Sequence, residues 1–169
     1  VNINDAKKIT IFGWPATGKS TFARQLGQKL NIAVYHLDDI RWDKNRQRIT
    51  GAEFQKEYEK LFKNKSWIIE GNVFESIDER FKQADLAIIF ESNRLKSVSG
   101  VFGRWLRVNL YGETRVGGGD DTLMHLSCFI IKKFPTRMVN VKLKLRKYPI
   151  NVIVIKNRKD MKRILEEER

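Results

Sequence analysis

Thirteen residues near the start of the chain restrict its fold more than any other stretch. Ile9-Thr10-Ile11-Phe12 is a strand-length apolar run, Gly13 to Ser20 reads G-x-x-x-x-G-K-S, and a helical pattern begins at Lys19. Strand, glycine loop and helix in that order are the context of a phosphate-binding P-loop. Gly13 and Gly18 are where the backbone can turn with positive φ. The loop Gly13-Trp14-Pro15-Ala16-Thr17-Gly18-Lys19-Ser20-Thr21 can then aim successive N–H groups at the α- and β-phosphates of a nucleotide. The spacing predicts that Lys19 reaches the β/γ oxygens and that the Ser20 hydroxyl ligates Mg2+. The N-terminus of the following helix adds partial positive charge. The expected ligand is a nucleoside triphosphate, ATP with Mg2+.

At 169 residues, with 41% hydrophobic and 31% charged residues, the chain suits one soluble domain spanning 1–169. Its longest apolar runs, such as 86–90 and 150–155, are strand-length and far short of the ~20 residues of a membrane span. The opening residues lack the apolar stretch of a signal peptide. A single cysteine, Cys128, excludes an internal disulfide and fits a reducing, cytoplasmic setting. Two histidines and one cysteine argue against a structural zinc site. The net charge is +13, and residues 132–169 hold thirteen Lys/Arg against four Asp/Glu. Such an excess can serve polyanionic nucleotides, bind nucleic acid, or form a solvated surface.

Strand and helix patterns alternate along the chain. Strands are expected at 7–12, 32–35, 67–70, 86–90 and 150–155. Helices are expected at 19–30, from a Thr50 cap with a Glu53 capping box to 63, in a short stretch capped by Ser76 that includes Ile77 and Phe81, at 94–110, at 122–134 with Pro135 closing it, and at 159–168. Residues 136–148 carry both a helical stripe (Met138, Val141, Leu145, Tyr148) and a strand-like alternation (Val139, Val141, Leu143, Leu145). Helix is favoured, because Pro149 implies a break before the last strand. The pattern predicts α/β class: a three-layer αβα sandwich around a five-stranded parallel sheet.

Size and layout favour a small-molecule kinase over a motor ATPase or a GTPase. Asn157-Arg158-Lys159-Asp160 only mimics the guanine-reading N-K-x-D, having Arg where Lys belongs. An arginine-rich helix runs into a glycine loop across 104–121, the character of a mobile lid that closes over phosphates. The chain also resembles the DNA topology modulation protein family, a bacterial group of adenylate-kinase-like P-loop proteins. The matching segments are GWPATGKST (13–21), VYHLDDIRW (34–42), WIIEGN (67–72), ADLAIIF (84–90), GETR (112–115), the Phe134-Pro135 break and VIVIKNRKD (152–160), in that order over nearly the whole chain. The resemblance implies a fold similar to adenylate and shikimate kinases, with an arginine-bearing lid. The chain departs from the family in its less glycine-rich loop (Trp14, Ala16, Thr17), in Glu70 where Asp is common, and in Val73 where an aromatic is frequent.

Asp38 and Asp39 follow the second strand, at the sheet end where ligands of parallel sheets gather. One of them is expected to hold an acceptor hydroxyl or order Mg2+ through water; either could instead be a turn or cap aspartate. Glu70 ends the third strand. Burial after Trp67-Ile68-Ile69 demands a cation or a hydrogen-bond partner, so it reads as an Mg2+ or base carboxylate, or as the partner of a structural arginine. Asn72 is a candidate substrate contact through its amide, beside a Gly71 that permits close approach. Arg80, Arg104, Arg107 and Arg115 are candidates for neutralising phosphate oxygens, two of the four being expected to matter. Arg80 is placed toward the substrate, and Arg104 and Arg107 toward the nucleotide. Arg115, before Gly117-Gly118-Gly119, is the lid candidate with a catalytic role. Arg158, after the fifth strand, resembles the residue beside adenine in related kinases and could stack on the base. His36 reads as a structural histidine in preference to a substrate contact, and Trp14 could pack over the loop or against the nucleotide. The partners implied are a nucleoside triphosphate and an unidentified small-molecule acceptor. Nucleic acid is the less favoured alternative, because the basic C-terminal stretch lacks aromatic interleaving. A third alternative is ATP hydrolysis without transfer.

Overall fold

Three apolar runs are buried at every residue or nearly so, and they form the centre of a parallel sheet. They are β1 (Lys8–Gly13), β3 (Trp67–Glu70) and β4 (Leu86–Phe90). The computed structural model describes residues 2–166 apart from 44, 46, 48 and 112–122. Two edge strands, β2 (Val34–His36) and β5 (Asn151–Ile155), complete the order β2-β3-β1-β4-β5, with all neighbours parallel. Continuous hydrophobic strands are expected where helices cover both sheet faces.

Period-two alternation divides the core. Ile9 and Ile11 of β1 and Leu86, Ile88 and Phe90 of β4 face a layer that includes Phe22, Ala23 and Leu26 of α1 (Lys19–Leu30) and Ile164 of α8 (Arg158–Glu166). Phe12, Ala87 and Ile89 face the other way, onto α4 (Ile77–Gln83) and α7 (Phe134–Leu145). On that same side Trp67 and Ile69 pack with Leu37 of α2 (Leu37–Ile40) and with Phe54 and Tyr58 of α3 (Gly51–Phe62). The result is the three-layer αβα P-loop NTPase fold that the alternating pattern predicts. Among the described residues, α5 (Arg94–Tyr111) packs on α6 (Leu123–Lys132), and α6 on α7.

Local signals act where they are expected. The Thr50 hydroxyl caps α3 through the Glu53 N–H, and the Glu53 carboxylate returns to the Thr50 N–H, a complete capping box. One expectation is corrected. α6 ends at Lys132, and Pro135 lies in the first turn of α7 instead of closing the helix before it. A proline ring fits the first turn, where its missing N–H has no partner to lose. The ambiguous 136–148 segment is helical: Met138, Val141 and Leu145 are buried while Val139 and Leu143 are exposed. The lid expected over 104–121 lies largely outside the described residues, which include its α5 portion up to Tyr111.

Candidate active site

β1 is the central strand, between β3 and β4; the chain leaves it for the edge strand β2 and later crosses it in passing from β3 to β4, so a crevice opens at its carboxyl end. The P-loop occupies that crevice. Gly13 has φ 138° and Gly18 φ 88°, as the spacing predicts, and Ala16 adds a third left-handed residue at φ 56°. Gly13 is bound to remain glycine: a Cβ there would stand 2.2 Å from the Phe90 carbonyl oxygen. The loop is tied internally through the Trp14 carbonyl, which accepts from the Thr17 hydroxyl at 2.7 Å and from Lys19 Nζ at 2.8 Å. The Trp14 N–H donates to the Phe90 carbonyl at 2.9 Å. Its ring packs on Phe134 of α7, centroids 5.1 Å apart, so its bulk serves the core against which the loop rests.

Glu70 is where the polar contacts of this region converge. It ends β3, and the sheet register sets it beside Ile11 of β1 and His36 of β2. Its side chain is almost wholly buried, and one oxygen, Oε2, accepts from the Ser20 hydroxyl at 3.1 Å and pairs with His36 Nδ1 at 2.9 Å. Burial pushes its pKa up, but the His36 hydrogen bond, the Lys19 charge and the Ser20 hydroxyl outweigh it, so Glu70 lies below the ordinary carboxylate value. The Glu70 hydrogen bond raises His36 against the opposing effect of burial. The partners that Glu70 finds among the described residues are thus a serine and a histidine, and not the arginine weighed from sequence.

Asp38 and Asp39 lie in the first turn of α2, just past β2. Both are open to solvent. Desolvation by the surrounding protein nevertheless raises the Asp38 pKa, Glu70 adds to that, and Lys19 and Arg41 oppose it. Asp39 is also raised, by desolvation first, but the charges it feels are those of His36, Glu70 and Arg24. Asp38 is therefore the aspartate whose field is shared with Lys19.

Asn72 and Arg80 have other geometry than their expected substrate contacts. The Asn72 carboxamide accepts from the Gly13 N–H at 3.1 Å and donates to the Gly13 carbonyl at 2.9 Å. Arg80 is fully buried and donates through Nη1 to the Gly71 carbonyl at 3.0 Å and through Nη2 to the Val73 carbonyl at 3.1 Å. Burial brings its pKa down to about 10, so it stays charged. Both residues hold the turn after β3 and, through it, the first glycine of the P-loop. Arg158 begins α8 at the carboxyl end of β5 and is exposed there. Arg107 is exposed on α5. The side chain of Arg104 and all of Arg115 lie outside the described residues.

A hydroxyl and a carboxylate 3.1 Å apart are hard oxygen donors of the kind Mg2+ accepts. Among the described residues no group of three or more acids, histidines or cysteines could cage a metal. Mg2+ commonly takes one or two protein oxygens and completes its shell with water and phosphate, and Ser20 and Glu70 could supply the protein oxygens. The sequence reading of His36 as a structural histidine left its partner open; the structure gives that partner as Glu70, the register neighbour on the adjoining strand.

The fold is that of P-loop NTPases, with the G-x-x-x-x-G-K-S loop at the carboxyl end of its central strand. Comparison with known proteins points the same way. A curated protein of Pyrococcus furiosus named "Putative adenylate kinase" is 29% identical over 92 residues, which cover 50% of this chain and 48% of that protein. The chain thus spans about half the length of the curated relative it matches. The shikimate kinase of Bacteroides thetaiotaomicron superposes with a TM-score of 0.56 at 14% identity, covering 95% of each chain. The deoxyadenosine kinase of M. mycoides, solved with dCMP and dCDP, superposes with a TM-score of 0.56 at 15% identity over 94% of each chain. No protein-family model matches the sequence. No helix among the described residues is long and apolar enough to cross a membrane.

Proposed function

We propose that the protein is an Mg2+-dependent phosphotransferase that moves the γ-phosphoryl group of ATP to a hydroxyl or phosphate oxygen of a small molecule. The observation that carries this reading is the Ser20–Glu70 pair beside Lys19, at the adjoining carboxyl ends of β1 and β3. The local match to an adenylate kinase and the likeness of fold to two kinases support it.

The P-loop N–H groups and Lys19 would hold the β- and γ-phosphates and neutralise charge on the equatorial oxygens. Ser20 and Glu70 would hold Mg2+, the hydroxyl directly and the carboxylate directly or through water. When bound, the metal would supply positive charge to offset the negative charge of the transferred phosphoryl group. Asp38 is the better placed of the two aspartates to receive the acceptor proton, since it shares the field of Lys19, whereas Asp39 feels His36 and Arg24. The acceptor oxygen forms the new bond to γ-phosphorus as the bond to the β–γ bridging oxygen breaks; the acceptor proton passes to Asp38 and ADP departs. Arg107 and Arg115 are assigned to the triphosphate from the lid side, Arg104 with them, and Arg158 to the base. The acceptor would lie over Asp38 and the 71–73 turn.

The test is ADP release across a panel of small-molecule acceptors, with K19A and E70A as controls. Acceptor-dependent ADP release that vanishes in K19A is expected. Release that never depends on an added acceptor would leave only hydrolysis. Duplex DNA binding that is steeply salt-dependent and indifferent to K19A would favour the nucleic-acid alternative.

A further inference from the structure

The interaction that the phosphotransfer reading does not use is the one between His36 and Glu70. We propose that His36 is a positioning residue that fixes the Glu70 carboxylate for the Ser20 hydroxyl and thereby sets the protein's affinity for nucleotide-bound Mg2+. The inference rests on the reading of Ser20 and Glu70 as the metal-holding pair.

The geometry is specific. His36 and Glu70 are the last residues of adjacent parallel strands and are register partners. His36 Nδ1 lies 2.9 Å from the same Oε2 that accepts the Ser20 hydroxyl. An ionised carboxylate has only lone pairs to offer, so the ring must carry its proton at Nδ1. One oxygen thus receives two donors, one from β2 and one from the P-loop helix. Two directed bonds on Oε2 define the plane of the carboxyl group, where a single bond to a rotating hydroxyl would not. With that plane fixed, the Ser20 hydroxyl keeps donating to Glu70, and the serine oxygen keeps its lone pairs for a cation. Partners one layer behind a metal ligand commonly act in this way.

The experiment is calorimetric binding of the β,γ-imido analogue of ATP, first in EDTA and then with Mg2+. The readout is the ratio of the two dissociation constants, which needs no turnover. Three variants separate the contributions. H36N keeps a donor near the position of Nδ1, H36Q keeps polarity and bulk but displaces the donor toward the position of Nε2, and H36L removes it. H36L and H36Q are expected to lose about tenfold or more of the Mg2+-dependent gain, with H36N staying within about threefold of the wild type. The EDTA constants should agree within about twofold, since the P-loop itself is untouched. If H36Q, or H36L as a folded protein by thermal melt, keeps the full gain, the positioning role is wrong. If H36N loses as much as H36Q, the Nδ1 donor is not what matters, and the inference fails likewise. A wild-type protein that binds the analogue with no Mg2+-dependent gain would overturn the metal-holding reading itself, a result distinct from any difference among the variants.

Discussion

The Asn72 side chain pairs with Gly13 as a peptide group would, accepting from its N–H at 3.1 Å and donating to its carbonyl at 2.9 Å. It closes the gap where β3 has ended and the P-loop has begun. The turn that carries Asn72 is held in turn by Arg80, through the carbonyls on either side of it. N72A should therefore misplace the first glycine of the loop. The expected result is a loss of nucleotide affinity and about 1–3 kcal/mol of stability, since both Gly13 groups lose a partner. N72D should fall between, because it keeps the acceptor and sets a charge against the carbonyl. Calorimetric ATP binding and urea melts of the two variants check this.

A second close approach lies across the loop. A Cβ placed on Gly100 of α5 would meet the Ala16 Cβ at 2.8 Å and the Ala16 carbonyl oxygen at 3.2 Å. G100A should push the P-loop away and weaken ATP binding, at an overpacking cost of about 1–3 kcal/mol. A16G removes the offending carbon and suits the left-handed backbone at φ 56°. The double variant A16G/G100A should then bind ATP more tightly than the sum of the two single effects allows. Strict additivity in that double-mutant cycle would show that α5 does not bear on the loop.

How much of this was legible in the sequence follows the range of each interaction. α1, β3 and β4 are found at their predicted bounds, because buried runs and helical stripes are local signals. The Thr50–Glu53 box is local as well. Pro135 was read as a stop and proves to be a start; the same ring suits both places, and only the next helix decides. The site is less legible because its bonds are long-range. His36 meets Glu70 only once β2 is in register with β3, and Asn72 meets Gly13 across 59 positions. Arg80 is misleading for another reason: most arginines on short helices face solvent, and nothing in residues 77–83 announces that this one turns inward.

That inward turn makes Arg80 a strong stability determinant. Its guanidinium is fully buried, and burial lowers its pKa to about 10. R80K keeps the charge but replaces a planar fork with a single ammonium, which cannot span two carbonyls in the same way. R80M removes the charge and leaves both carbonyls without that donor. Both variants should lose about 2–4 kcal/mol in chemical denaturation, with R80K failing to rescue R80M. Near-wild-type stability for R80K would mean that charge alone, without the fork, holds the turn after β3.

The other face of α4 offers a pH test. Asp78 accepts from Lys144 on α7 through one oxygen and from the Tyr148 hydroxyl at 3.0 Å through the other. The Lys144 hydrogen bond is the largest effect on its pKa, and with Tyr148 it overcomes desolvation, so Asp78 lies below its ordinary value of 3.8. A carboxylate depressed in the folded state contributes stability above its unfolded pKa and loses it as pH falls through the folded one. The side chain is 38% exposed, so solvent screening holds the contribution to under about 1 kcal/mol. For a domain of this size that is about 2–4 °C in Tm. D78N should melt below the wild type by a nearly constant margin from about pH 7 to pH 5. The margin should shrink as pH drops below about 4, where the wild-type carboxyl begins to take up its proton. Adding salt at neutral pH should narrow the same margin, because the Lys144 charge is partly screened. A margin independent of both pH and salt would assign the effect of D78N to lost packing between α4 and α7, and not to the charge of Asp78.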